Sequence, residues 1–315
     1  MMPRTTYSAL MLALVCTVFG GCGILGGAAG GDAEGLGRVD SEFHSAYYRA
    51  QVAKIKGDRD GAKEALLSCL DADPNAAVVH FELARMERMD AQWTAAMVAV
   101  ERAVELEDNN PWYRREYAEI ALELGRNAEA DLALSWLLEN KPEDDVAAMM
   151  LLDLRTVEGR YDEAAEVVDV LEREWGPDPE WHLERHRLHL AAGDLDAALE
   201  DLALLEMDFP EVVEAPLQRA RMLSSVGREA EAETVLRSAL DRTGHGRLHL
   251  ELAQVLTARG ETADARVHVR SAFTAEGVPL AEKVNIAWTY IELAEIQVDL
   301  QEEAANLIDL LLTVH

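Results

Sequence analysis

Positive charge is what this sequence has least of. Lysine and arginine number 29 against 59 aspartates and glutamates, a formal charge of −30. Nucleic-acid phosphates need concentrated positive charge, so a general nucleic-acid binder is excluded. Cysteine occurs only at positions 16, 22 and 69, too few for a disulfide framework. Proline is sparse, at 9 of 315 residues, and aromatics make up 6%. The apolar run from Ala9 to Phe19 is far short of the roughly 20 residues that span a bilayer. No glycine-rich phosphate loop follows a strand pattern, and a Ser-His-Asp or Cys-His set could be assembled only by arbitrary choice. What is present is 49% apolar and 28% charged residues, enough to bury a core and too apolar for disorder. Recurrent alanine, leucine and glutamate favour helix.

The first residues read as an address. Arg4 precedes the apolar run, which ends at Gly20, Gly21 and Cys22. A short basic start, a short apolar stretch and small residues at its end are the pattern of a secretory signal. Phe19-Gly20-Gly21-Cys22 resembles the lipobox of bacterial lipoproteins, with Phe19 where leucine is usual. The resemblance implies removal of residues 1–21 and lipidation of Cys22. Gly23, rather than aspartate, after the cysteine leans toward the outer membrane. The alternative is an ordinary signal with an incidental cysteine. Residues 22–42 are glycine-rich and read as a flexible tether, with a reach of about 25 Å over twenty residues. The mature chain would keep 28 basic and 59 acidic residues, a formal charge of −31, with Cys69 its one free thiol.

Beyond the tether the chain repeats. Gly57, Ala91, Gly125, Gly159, Gly193, Gly227 and Gly260 stand 34 residues apart five times and then 33. Five residues after each comes Ala62, Ala96, Ala130, Ala164, Ala198, Ala232 and Ala265. Pro74, Asp108, Pro142, Gly176, Pro210 and Gly244 form a third rung. A small residue lets the chain turn after a first helix, alanine admits close helix packing, and proline or glycine ends the second helix. Each unit is therefore a helical hairpin. Gly159-Arg160-Tyr161-Asp162-Glu163-Ala164 and Gly193-Asp194-Leu195-Asp196-Ala197-Ala198 resemble the inter-helix turn of the tetratricopeptide repeat. That resemblance implies an all-α fold, a right-handed α-solenoid of seven hairpins over residues 43–277, starting near Phe43, Ala77, Pro111, Asp145, Pro179, Val213 and Gly246. Residues 278–315 read as a degenerate eighth hairpin, with helices over 280–296 and 299–313. Its apolar end, Leu307, Ile308, Leu310, Leu311 and Leu312, predicts either continuation of the chain or packing on another subunit.

Candidate chemistry is thin. His182, His186 and His189 share one helical face and form a weak candidate metal set. Glu184 does not stand in the zinc-protease order, and the expected state of these histidines is packed or partly exposed. Cys69 reads as a small buried hydrophobe. No cofactor and no enzymatic activity are expected.

The family lines its concave groove with the first helix of each unit, chiefly positions two, five, nine, twelve and thirteen. The fifth positions here are Tyr47, Phe81, Arg115, Met149, Leu183, Leu217 and Leu250. The ninth are Gln51, Arg85, Glu119, Asp153, Arg187, Arg221 and Gln254. Over all such slots Lys54, Arg85, Arg88, Arg115, Arg187, Arg221 and Arg247 stand against Glu119, Glu123, Asp153, Glu180 and Glu214, an excess of positive charge inside a strongly acidic chain. The partner-binding groove is thus expected at Tyr47, Phe81, Arg85, Arg88, Trp112, Arg115, Met149, Arg187 and Arg221. Arginine beside apolar surface suits a protein segment bearing carboxylates and apolar anchors. The competing expectation is that these arginines only neutralise neighbouring acids. The lysine and asparagine pairing of chaperone-binding members is absent. The expected function is a membrane-anchored scaffold of the bacterial cell envelope, on the outer membrane facing the periplasm, serving outer-membrane assembly, secretion or control of cell-wall enzymes. The alternatives are a docking region of a longer protein and a metal-binding site on the same scaffold.

Overall fold

The computed structural model describes residues 33–314, with side chains described from 41 to 313. The expected leader at 1–21, Cys22 and much of the tether lie outside the described residues. The described residues divide between Asn75 and Ala76 into two compact units.

The first unit contains α1 (Ala33–Lys56) and α2 (Arg59–Ala72). Ala46, Ala50, Ala62, Ala65, Leu66 and Cys69 are its buried apolar residues among those described. The Cys69 thiol donates to the Ala65 carbonyl at 3.3 Å, and burial pushes its pKa up. The helix α1 starts at Ala33, not near Phe43, so residues 33–42, read from their glycine as tether, are helical. Extending an existing helix costs far less than nucleating one, so the body's first helix runs on through Ala33, Glu34, Leu36 and Arg38 despite Gly35 and Gly37.

The second unit contains six hairpins and a final pair: α3 (Ala77–Met89) with α4 (Trp93–Leu106), α5 (Pro111–Glu123) with α6 (Asn127–Asn140), α7 (Asp145–Val157) with α8 (Tyr161–Trp175), α9 (Pro179–Ala192) with α10 (Leu195–Asp208), α11 (Glu214–Ser225) with α12 (Glu229–Thr243), α13 (Gly246–Ala258) with α14 (Thr262–Thr274), and α15 (Leu280–Ile296) with α16 (Gln301–Val314). From α3 to α14 each helix packs on the next; at the end α15 packs on α16, and α16 on α14. The described residues contain no strand. The architecture is an α-solenoid of helical hairpins.

The ladder has a backbone cause. Gly57, Gly125, Gly159, Gly193, Gly227 and Gly260 all have positive φ, the left-handed conformation that glycine adopts without strain. There the chain reverses through a bond spanning five residues, as from the Arg126 amide to the Ala121 carbonyl at 2.8 Å and from the Arg160 amide to the Arg155 carbonyl at 2.8 Å. The alanines five residues on are buried, as close hairpin packing demands.

Ala91 occupies the glycine rung with φ 56°, the single non-glycine residue of positive φ among those described. Its turn is otherwise the same: the Gln92 amide donates to the Glu87 carbonyl at 2.8 Å. A Cβ in this conformation costs about 1–2 kcal/mol, and glycine's extra freedom in the unfolded chain returns about 0.5–1 kcal/mol of that. Ala91→Gly should therefore stabilise the protein by about 0.5–1 kcal/mol, read by urea titration. A loss of stability would contradict the strain assigned to this turn.

The apolar core of the second unit comes in two main pieces. One runs from Ala84 to Leu188 and centres on Ile120, Leu134, Leu137, Leu151 and Leu171. The other runs from Leu199 to Leu307 and centres on Leu217, Leu236, Leu252 and Phe273. Between them lies α9, whose buried residues are His182, Arg185, His186 and Leu188, three of them polar. The apolar C-terminal stretch is mostly used: Leu307 is buried and Leu310 and Leu311 pack on the second core, leaving Ile308 and Leu312 exposed. Docking of α16 against α14 covers what sequence spacing left bare. Among the described residues no helix is long and apolar enough to cross a membrane.

Candidate interaction face and polar cluster

In the first unit Tyr47 is half-buried and stacks on Phe43 with ring centroids 6.0 Å apart. The other groove positions belong to the second unit. Phe81 on α3 is half-buried against Tyr113 of α5, ring centroids 4.8 Å apart. The exposed Arg85 guanidinium lies 5.7 Å from the Phe81 ring centre and, among the described residues, forms no ion pair. Trp112 is 63% exposed, with the Arg115 guanidinium 4.7 Å from its ring. Met149 on α7 is exposed. Arginine stacked on an aromatic ring keeps its hydrogen-bond donors available while its flat face is covered.

Most of the remaining arginines are engaged, which corrects the positive excess counted from sequence. Arg88 bonds Glu116 at 2.6 Å and Glu119 at 2.9 Å. Arg115 meets Asp144 at 3.1 Å, Arg187 meets Glu184 at 3.2 Å, Arg221 meets Glu251 at 2.7 Å and Arg247 meets Glu214 at 3.1 Å. Glu116, Glu184 and Glu251 each stand at the sixth position of their repeat, one place beyond a counted slot. Stacking brings that place against the preceding or the same first helix. Burial pushes the Glu116 carboxyl up in pKa, against the opposing pull of Arg88. With 59 acids in the chain, ion pairs take up the other arginines of this set, while Arg85 forms none among the described residues and acts on Glu116 only through its field.

The second arrangement centres on α8, α9 and α10. Arg185 is buried and four of its five N–H donors are engaged. Nε donates to Asp201 at 2.6 Å, Nη1 to Asp169 at 2.8 Å and to Glu172 at 2.7 Å, and Nη2 to His182 Nδ1 at 3.1 Å. His189 Nδ1 donates to the other Asp201 oxygen at 2.6 Å. The cluster borders an open cavity of about 450 Å³.

The three histidines singled out from spacing do not converge. His186 Nδ1 donates to the Ala198 carbonyl at 2.9 Å, which leaves Nε2 to accept from Gln218 at 2.9 Å. His189 is held by Asp201, and His182 turns Nε2 the other way, toward Glu172 and Asp208. A shared helical face puts side chains on one side of a helix, but each ring then rotates to its own partner on α10, α11 or α8. A further pair, His249 and His268, shares a bond between Nδ1 atoms at 2.9 Å, so one ring donates and the other accepts. Burial holds both below the ordinary imidazole range.

The family model described as tetratricopeptide repeat matches residues 117–179 and 183–244. No curated protein matches the sequence. Among solved structures, a tetratricopeptide repeat protein from Parabacteroides merdae is 16% identical, with 85% of this chain and 99% of that chain covered at a TM-score of 0.45. PilF of Pseudomonas aeruginosa is 18% identical, with 70% and 99% covered at a TM-score of 0.40. PilW, described as a type IV pilus biogenesis factor, is 18% identical, with 58% and 84% covered at a TM-score of 0.37. The positive-φ ladder at constant pitch and the buried alanine rungs run through the residues of the family match: residues 117–179 and 183–244 are tetratricopeptide repeats.

Proposed function

We propose that this protein is a non-enzymatic scaffold of the bacterial cell envelope, held to a membrane through lipidated Cys22, that captures a protein segment on the first-helix face of α3, α5 and α7. The observation that carries the reading is the pairing of an exposed arginine without a carboxylate partner, Arg85 over Phe81, with the open Trp112 ring beneath Arg115. Such a surface suits an extended segment that places a carboxylate on Arg85 and an apolar side chain on Trp112. The proposed site is narrower than the nine-residue groove expected from slots, because Arg88, Arg187 and Arg221 already hold acids. A lipid anchor confines the scaffold near membrane partners and raises their effective concentration, so the face can work with modest intrinsic affinity.

Crosslinking and pull-down from native membranes, followed by affinity measurement on the partner so identified, tests the reading. Arg85→Glu with Trp112→Ala should weaken capture by about 30-fold, the scale of a binding hot spot, with helicity retained because both side chains are exposed. Cys22→Ser should release the chain from the membrane fraction and leave partner affinity unchanged. Equal capture by the double variant refutes the face, and a membrane-bound Cys22→Ser chain refutes the anchor.

A further inference from the structure

His182 is 2% exposed, and its Nε2 atom is buried without a hydrogen-bond partner. A buried polar atom left in that state costs about 1–3 kcal/mol, so its surroundings call for explanation. Nε2 points between two carboxylate oxygens from different helices, Glu172 Oε1 of α8 at 3.4 Å and Asp208 Oδ2 of α10 at 3.3 Å. The three ligand atoms lie within 4.8 Å of one another. Zinc bonds to imidazole nitrogen and carboxylate oxygen measure about 2.0–2.2 Å, so two ligands on a tetrahedral ion stand about 3.3–3.5 Å apart. Two of the three edges already have that length.

From these distances we propose that Glu172, His182 and Asp208 form a binding site for a divalent transition metal of the zinc class. The helices favour a cation at this point. Glu172 sits in the last turn of α8 and Asp208 is the last residue of α10, whose final turn carries no basic residue. Both carboxylates thus add to the negative end of a helix dipole. The neighbouring residues orient the ligands. Arg185 Nη1 holds Glu172 through Oε2, which leaves Oε1 turned to His182, and the rim of the Phe209 ring packs against the imidazole at 5.9 Å between centroids. Such outer contacts set ligand direction and metal affinity. Entry is from the cavity, where the Asp208 side chain is 35% exposed. Three protein ligands leave the fourth position to water from that cavity.

One contact changes on binding. Arginine only donates, so the bond from Arg185 Nη2 to Nδ1 places the ring proton on Nε2 in the metal-free protein. Metal on Nε2 moves that proton to Nδ1, and since the rigid guanidinium stays fixed by Nε on Asp201 and Nη1 on Asp169 and Glu172, the imidazole turns off Nη2 as the metal binds. The set differs from the three histidines of one helical face. Of those only His182 takes part, and its co-ligands come from the flanking helices.

Calorimetric titration of the full chain with Zn²⁺, before and after chelator treatment, tests the site. The expected result is one saturable site, a rise in melting temperature, and no displacement by excess Mg²⁺, which prefers an all-oxygen octahedron. Co²⁺ should give the intense visible absorption of a tetrahedral ion. His182→Ala and Asp208→Asn should each weaken Zn²⁺ binding at least about tenfold. Should His182→Ala fail to fold, Asp208→Asn decides alone, since that side chain reaches solvent. Absence of saturable binding, or equal affinity in the folded variants, overturns the proposal and leaves only diffuse attraction to an acidic surface.

Discussion

Arg185→Ala should destabilise the second unit by about 3–5 kcal/mol, the usual loss when one member of a buried ion cluster is removed. Asp201 is buried and accepts from both Arg185 and His189, so truncating the arginine leaves a buried carboxylate without its permanent charged partner and with His189 as its remaining donor. The form of unfolding should change too. The two apolar cores, Ala84 to Leu188 and Leu199 to Leu307, are separate clusters that come together at α9 and α10, where the polar cluster stands beside a small apolar one of Leu202, Leu205 and Ala215 with Leu183 and Phe209. In a solenoid, stability is close to a sum of repeat terms and nearest-neighbour interfaces, so weakening one interface uncouples the flanks. Urea titration in the presence of chelator, followed by hydrogen exchange, should resolve two transitions in the variant and one in the wild type. A single transition displaced by under about 1 kcal/mol would show that the cluster is peripheral to coupling.

Leu134→Ala should cost about 2–5 kcal/mol, the range for removing a buried leucine and leaving part of its volume empty. Leu134 is fully buried within the first core, beside Ala130 and Leu137. Its neighbours belong to helices fixed by the same constant pitch, so collapse onto the cavity would disturb the hairpins on either side. Hydrogen exchange should report the loss between α4 and α8, while α13 and α14 keep wild-type protection. Uniform loss along the chain would instead mean that the repeats unfold as one block.

Hairpin boundaries were legible because they depend on local backbone chemistry. Gly125, Gly159, Gly193 and Gly227 mark left-handed turns, and the alanines five residues later mark close packing, both readable one residue at a time. Even Ala91 could be placed, although the strain it carries follows only from its φ. The start of α1 at Ala33 was not legible, since glycine content describes propensity in isolation whereas the helix is extended from a packed body. Arg187 and Arg221 looked available from their slots, yet Glu184 and Glu251 hold them. His182 was singled out with His186 and His189, but its partners Glu172 and Asp208 lie on flanking helices at no fixed spacing.

Sequence by itself determined the helical hairpin, its pitch and its register, because turn glycines, packing alanines and helix-ending residues act within a single repeat. Tertiary structure decided which charges are spent and which remain: Arg85 without a carboxylate, Arg185 shared among three, and His182 aimed between two acids. The reason is geometric. Electrostatic contacts depend on atoms a few ångströms apart across helices, and in a chain with a twofold excess of acid the pairing of each cation is settled only when the repeats stack.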